Sequence, residues 1–159
     1  MDLSRHISVF NPAAVKDDIH IIGVGATGSF TAMMLARMGV PVINIYDFDD
    51  VEIHNIPNQY YDTGDLGKLK AEALADKLRL INPDITVNVG KEAVKAEDVS
   101  KMSGYLFSLV DSMKVRKELW EAAKANTNLI NVWESRLGSD QARVYSLPIK
   151  AGMDYARYE

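Results

Sequence analysis

The stretch from Asp18 to Asp49, DIHIIGVGATGSFTAMMLARMGVPVINIYDFD, constrains the fold of this chain more than any other. It reads as a buried strand (Ile19 to Val24), a glycine turn, an apolar helix and a second strand that ends on acids. Gly23, Gly25 and Gly28 have the spacing G-x-G-x-x-G. The first glycine lets the chain turn off the strand, the second leaves room for a phosphate at the backbone, and the third lets helix and sheet pack closely. The unpaired amides opening the helix, with its dipole, then face an anion. Asp47 follows Gly28 by nineteen residues, at the end of the second strand, where a carboxylate accepts ribose hydroxyls. A tight structural turn is the alternative reading of the glycines alone. Strand, turn, helix, strand and acid in that order favour a nucleotide.

The remaining chain alternates strands and helices. Residues 1–17 read as an arm, with Asn11-Pro12 a turn, and residues 18–159 as one nucleotide-binding domain. The helix from about Ser29 to Met38 carries one charge, Arg37, and is otherwise apolar on nearly every side. Either a subunit contact or neighbouring loops should cover it. Gly39 and Pro41 end it. A polar passage follows Asp47, then a helix from about Leu66 to Ile81 whose buried stripe is Gly67, Ala71, Leu74, Leu78 and Ile81. Lys70 borders that stripe near the helix start, where a cation opposes the dipole and needs a reason to be there. Strand three is Ile85 to Val89, followed by a short helix near Ala96 to Met102. Strand four, Tyr105 to Val110, is apolar apart from one serine, as a central parallel strand should be. Asp111 then opens a helix with Val115, Leu119 and Ala122 inward. Strands five and six are Leu129 to Trp133 and Arg143 to Leu147.

This pattern predicts an α/β fold, a doubly wound, mostly parallel Rossmann-like sheet in order 3-2-1-4-5-6 within a single domain. Strands one and four are then neighbours at the switch in winding, so the glycine turn and Asp111 line one crevice. A carboxylate beside nucleotide phosphates suits Mg²⁺. An N-cap on the following helix is the other reading of Asp111.

Composition narrows the classes. A chain of 159 residues with 47% hydrophobic content buries a single core, and its net charge of −4 and lack of a basic stripe speak against nucleic acid. There is no cysteine, hence no disulfide, zinc–thiolate site or thiol nucleophile in this sequence. No signal-like or membrane-length apolar run occurs, so a cytoplasmic protein with no membrane contact is expected. His6, His20 and His54 lack ligand spacing, the seven methionines read as core filler, and Trp120 and Trp133 read as packing residues.

Several separated blocks carry more information than the glycines. They are Gly23-Val24-Gly25-Ala26-Thr27-Gly28-Ser29, Asp47-Phe48-Asp49-Asp50-Val51, Asn55 and Gln59 in HNIPNQ, Gly67-Lys68-Leu69-Lys70, Asn82-Pro83 and Asp111-Ser112-Met113-Lys114-Val115-Arg116. In order and spacing they resemble the ThiF/MoeB-type adenylyltransferases, which share their fold with ubiquitin-activating enzymes. The resemblance runs from the arm to strand six. It implies ATP and Mg²⁺ as cofactors and adenylation of a carboxylate, usually the Gly-Gly end of a small ubiquitin-like or sulfur-carrier protein. It implies that Gly25, Ala26, Thr27 and Gly28 hold phosphates and that Asp47 binds ribose. Asp49, Asn55, Asn58, Gln59 and Lys70 would contact the nucleotide, and Asp111 would position Mg²⁺. Ser4-Arg5-His6 is similar to the family's amino-terminal S-R-[QH], whose arginine reaches into a partner's site. That makes Arg5, with Lys70 and Asp111, a catalytic candidate and the active form a homodimer. The family usually has arginine where this chain has Asn58, and no zinc is expected without cysteine. A nucleotide-binding scaffold that has lost catalysis, and an NAD-dependent oxidoreductase, are the competing functions.

Overall fold

A computed structural model describes residues 1–150, 153–156 and 158. Six strands, β1 (Ile19–Ile22), β2 (Val42–Tyr46), β3 (Thr86–Gly90), β4 (Gly104–Ser108), β5 (Leu129–Leu137) and β6 (Ala142–Pro148), form one sheet in the order β3-β2-β1-β4-β5-β6. The expected order is therefore the observed one. The first five strands are parallel and β6 closes the edge antiparallel to β5.

Among the described residues the α-helices are α1 (Ala26–Arg37), α2 (Lys70–Ile81), α3 (Ala96–Val99) and α4 (Met113–Ala125). The alternation of side chains along each strand splits the core in two. Ile21, Ile43 and Ile45 pack with Ala32 and Ala36 of α1 and Leu74 and Leu78 of α2. Ile22, Leu106 and Val132 pack on the other face with Val99, Leu119 and Trp120. Among the described residues no helix is long and apolar enough to cross a membrane.

Several element boundaries differ from expectation. Helix α1 starts at Ala26, three residues early, so the glycine motif supplies its first turn. Helix α2 starts at Lys70, because Gly67 has φ +75° and Leu69 forms an antiparallel bridge to Asp50. Gly67 is thus exposed and outside the buried stripe assigned to it. Helix α3 is a single turn. In α4 the inward residues are Arg116, Leu119, Trp120 and Ala123, while Val115 and Ala122 are only half-buried. Both tryptophans do pack: Trp133 stacks on Phe107 and Trp120 meets the edges of Tyr155 and Tyr158. Core filling holds for only some of the methionines: Met102 belongs to one core cluster and Met33 packs against the other. Met102 alone is buried, and Met34 and Met113 face out.

The arm folds back as a series of turns. Leu3 covers Gly39, Pro12 is buried, and Phe10 and Val15 pack against the α1/α2 core.

Candidate functional site

The carboxyl ends of β1, β2, β4 and β5 open into a cleft of about 880 Å³, large enough for a nucleotide-sized ligand. Each motif glycine meets a different constraint there. Gly23 has φ +86° and donates its N–H to Tyr46 O (2.9 Å), and a Cβ on it would sit 3.0 Å from the Leu109 carbonyl. A Cβ on Gly28 would lie 2.9 Å from the Gly23 carbonyl carbon and closer still to its oxygen. Gly25, the N-cap of α1, has open space instead, with only Gln59 Nε2 near, at 3.9 Å. The first and third glycines therefore serve packing, and the second leaves the helix start open to a ligand. Ala26 and Thr27 line the cleft beside it, while Gly28 is buried beneath.

Asp47 directly follows β2 and already has two partners. Its Oδ2 accepts the Val24 N–H (2.8 Å) and its Oδ1 the Asp49 N–H (3.0 Å). Each carboxylate oxygen keeps a lone pair for a further donor. Lys70 opens α2 and its side chain is 9% exposed. Asp49 makes that placement tolerable by ion-pairing at 3.0 Å, and the Lys70 N–H donates to Asp49 O. Tyr61, which belongs to none of the motif blocks, donates its hydroxyl to Val24 O (2.8 Å) and lies 3.3 Å from Lys70 O, which pins the glycine turn against α2. Burial pushes that phenol well above its ordinary range.

Asp111 lines the same cleft as Lys70. The cap of α4 is Ser112, whose hydroxyl accepts the Val115 N–H (3.3 Å), so Asp111 is not the N-cap. It makes no hydrogen bond or ion pair among the described residues. Among those residues no group of three His, Asp or Glu side chains forms a metal cage. A single free carboxylate fits an ion whose remaining ligands are phosphate oxygens and water, as Mg²⁺ prefers. The lining points the same way. Six carboxylates, Asp47, Asp49, Glu92, Glu97, Asp111 and Glu118, face three cations, Lys70, Lys95 and Arg116. A bare polyphosphate meets net repulsion there, and one carrying a divalent cation does not.

Of the residues in the HNIPNQ block and the arm, one lines the cleft and three lie outside it. Gln59 lines the cleft with its Oε1 buried and unpartnered. Asn55 is buried outside the lining, its Oδ1 accepting the N–H of Glu52, the cap of a 3-10 turn, at 2.8 Å. Asn58 is exposed and also outside it. Arg5 is exposed on the arm, which lies at the amino-terminal edge of the sheet, where His6 Nε2 approaches Met38 O (3.4 Å). Within one chain Arg5 and the cleft are at opposite ends of the sheet.

Arg116 and its partners form a cluster that residue spacing does not reveal. Arg116 Nη1 donates to Ser135 O and lies 3.3 Å from Glu134 Oε1. The same oxygen accepts Arg136 Nε (2.6 Å), and Tyr158 donates its hydroxyl to Oε2. Glu134 is 2% exposed, a carboxylate wholly inside the protein.

Known proteins place this geometry. The Haemophilus influenzae tRNA threonylcarbamoyladenosine dehydratase is 34% identical over 119 residues, which is 72% of this chain and 45% of that protein. The ubiquitin-like modifier-activating enzyme 5 of Drosophila pseudoobscura is 30% identical over 151 residues, 85% of this chain and 38% of the relative. The Escherichia coli tRNA N6-threonylcarbamoyladenosine dehydratase in complex with ATP superposes with a TM-score of 0.66 at 30% identity, over 72% of this chain and 49% of that one. This chain thus spans less than half the length of each of these relatives. The model of the ThiF family matches residues 13–137, the whole run from the arm's last turn through β5 that builds the cleft, and the chain belongs to the ThiF family.

Proposed function

We propose that the cleft binds Mg²⁺·ATP and that the chain adenylates a carboxylate, releasing pyrophosphate. The supporting observation is the convergence of an open helix start at Gly25, a sheltered Lys70 and an Asp111 free of structural duty on one crevice between β1 and β4. The relative solved with ATP has the same fold over this region, which supports the choice of nucleotide. Similarity to a ubiquitin-like modifier-activating enzyme supports a protein carboxyl end as the acceptor, in the form of a small carrier ending in Gly-Gly.

In this reading the amides of Ala26 and Thr27 receive phosphate oxygens and Asp47 takes the ribose hydroxyls. Asp49 and Gln59 flank the phosphates, and Lys70 turns from Asp49 toward them as charge develops. The substrate carboxylate, already ionised at pH 7, attacks the α-phosphorus, and the bond to the bridging oxygen of pyrophosphate breaks. No general base is required, so the chain contributes alignment and charge. Mg²⁺ held by Asp111 would supply further positive charge at the phosphates. Arg5 acts from a second copy in a homodimer, since its own cleft is out of reach, and the reaction belongs in the cytoplasm. Asn55 acts through the loop that carries Gln59, whose N–H it accepts at 2.9 Å, and Asn58 stands on the exposed side of the same loop.

ATP–pyrophosphate exchange driven by a candidate carboxylate tests the reading. Lys70→Ala and Asp111→Asn are each expected to cut exchange at least tenfold without unfolding the protein. Wild-type exchange in both would overturn the site assignment. Asn58, exposed where relatives usually carry arginine, favours one competing reading, a nucleotide-binding module without chemistry. ATP binding with no exchange for a protein tail, a peptide or a small acid would establish that instead.

A further inference from the structure

A nucleoside triphosphate seated as above has its phosphates at Gly25–Thr27 and its ribose at Asp47, so its base extends away from α1. The chain that follows β3, Glu92 to Glu97, lines the cleft on that side, together with two aromatic residues, Tyr46 at the end of β2 and the exposed Phe48 beyond it; of these Tyr46 is the one held in place by its neighbours. Tyr46 is held by two neighbours on either side of its strand. Its hydroxyl and His20 Nδ1 of β1 are hydrogen-bonded at 3.0 Å, and the two rings stack at 6.0 Å with 22° between their planes. On β3 the residue in register with it is Gly90. A Cβ there would lie 3.0 Å from Tyr46 Cε1 and closer still to Cδ1, so the ring occupies the place of the missing side chain. The backbone of Tyr46 accepts the Gly23 N–H, and Asp47 donates its N–H to Gly90 O (3.2 Å). The backbone on either side of Tyr46 is thus tied to the phosphate turn and to β3, and the ring is held between His20 and Gly90.

We propose that Tyr46 is the residue that contacts and selects the nucleobase, and that Gly90 and His20 position its ring for that task. The inference rests on the nucleotide reading above and goes beyond it. With the hydroxyl engaged by His20, the ring presents its hydrocarbon surface, which suits a flat, weakly hydrated base. Any side chain at residue 90 pushes the ring out of its slot, and His20 closes the way toward β1, so the ring moves into the space the base needs.

Calorimetric titration of the full chain with ATP and with inorganic tripolyphosphate, both with Mg²⁺, tests this. The tripolyphosphate carries the charge without ribose or base. Tyr46→Ala and Gly90→Ala are each expected to weaken ATP at least fivefold and to leave tripolyphosphate within twofold. Gly90→Ala/Tyr46→Ala should bind ATP no more weakly than Tyr46→Ala alone, because no ring remains for the new methyl to displace. Loss of ATP affinity under fivefold in Tyr46→Ala, or parallel loss of both ligands, overturns the proposal. If Gly90→Ala fails to fold, the Tyr46→Ala comparison between the two ligands decides alone. A wild-type chain that binds neither ligand overturns the nucleotide reading itself, a result distinct from altered selectivity.

Discussion

Glu134 is the position where a single substitution should cost the most stability for the fewest atoms. Its carboxylate is 2% exposed and holds Arg116, Arg136 and the Tyr158 hydroxyl together. Glu134→Gln keeps the volume but removes the charge, leaving two guanidinium groups facing each other. The two differ in their access to water, since the Arg116 side chain is 9% exposed and that of Arg136 is 32%. Arg136 can turn outward, and it has the rings of Tyr145 and Tyr158 at 4.8 and 4.9 Å to rest on. Arg116 has no such outlet, and its Nε is already buried without a partner. Removing one member of a buried pair costs about 3–5 kcal/mol, because the remaining charge stays out of water. For a chain of this size each kcal/mol moves Tm by roughly 2–4 °C, so Glu134→Gln should melt about 6–20 °C lower. Urea unfolding followed by circular dichroism, with m unchanged, gives the free energy directly. Adding Arg116→Met should recover part of the loss, since the stranded charge is then gone. A Glu134→Gln protein within 1 kcal/mol of wild type would refute the reasoning, as would an Arg116→Met/Glu134→Gln double variant less stable than Glu134→Gln alone.

Three further outcomes follow from the site. Gly28→Ala should lose about 3 kcal/mol or more in urea unfolding, because its methyl overlaps the Gly23 carbonyl and backbone must move; a loss under 1 kcal/mol counts against the packing. Asp47→Ala should destabilise the nucleotide-free protein by about 1–3 kcal/mol, since the Val24 N–H is left unpaired, and an unchanged melt would show that this carboxylate serves ligand alone. Burial holds His20 below its ordinary imidazole range, so as pH falls the unfolded chain takes up the proton first. Stability from this residue is complete above about pH 6.5 and declines below it, by up to about 1.4 kcal/mol per pH unit, until folded His20 also protonates. Melting from pH 8 to 5 should show that decline, and His20→Gln should flatten it; equal slopes in both proteins would sink the assignment.

The sequence made the sheet legible because each strand is short, apolar and separated by a helix-length segment, and parallel strands joined in that way have few allowed orders. The crevice followed from the order. Boundaries were less legible where one stretch serves two purposes. Gly25 to Ser29 is both turn and first helical turn, and the glycines disguise the helix start. Leu66 to Leu69 has helical spacing, yet Gly67 in the left-handed region and the Asp50–Leu69 bridge unwind it. The cluster around Glu134 was illegible because its charges sit 18 residues apart, on α4 and β5. Charged residues also disguised the end of β5, where Glu134 to Leu137 continue the strand past Trp133. Asn55 shows the converse. Family resemblance marked it as a ligand contact, whereas its side chain closes a 3-10 turn.

The two cleft aspartates differ in a way that separates structure from chemistry. Asp47 has both oxygens committed to backbone amides, so replacing it disturbs the folded chain before any ligand arrives. Loss of nucleotide binding in such a variant would not distinguish a lost ribose contact from a relaxed turn. Asp111 has neither capping duty nor an ion-pair partner among the described residues, and it is exposed in the same cleft. Surface substitutions away from structural features usually fall within about 0.5 kcal/mol, so Asp111→Asn should leave stability nearly unchanged. A tenfold loss of exchange in that variant then corresponds to about 1.4 kcal/mol of transition-state stabilisation with no structural component to subtract. Lys70 lies between the two cases. Its ion pair with half-exposed Asp49 contributes little in water, but its nearly buried ammonium must find an anion when Asp49 is removed. Asp49→Asn should therefore strengthen tripolyphosphate binding, because Lys70 is released to the incoming anion. Weaker binding in Asp49→Asn would mean that the carboxylate holds Lys70 in position for the phosphates rather than competing with them.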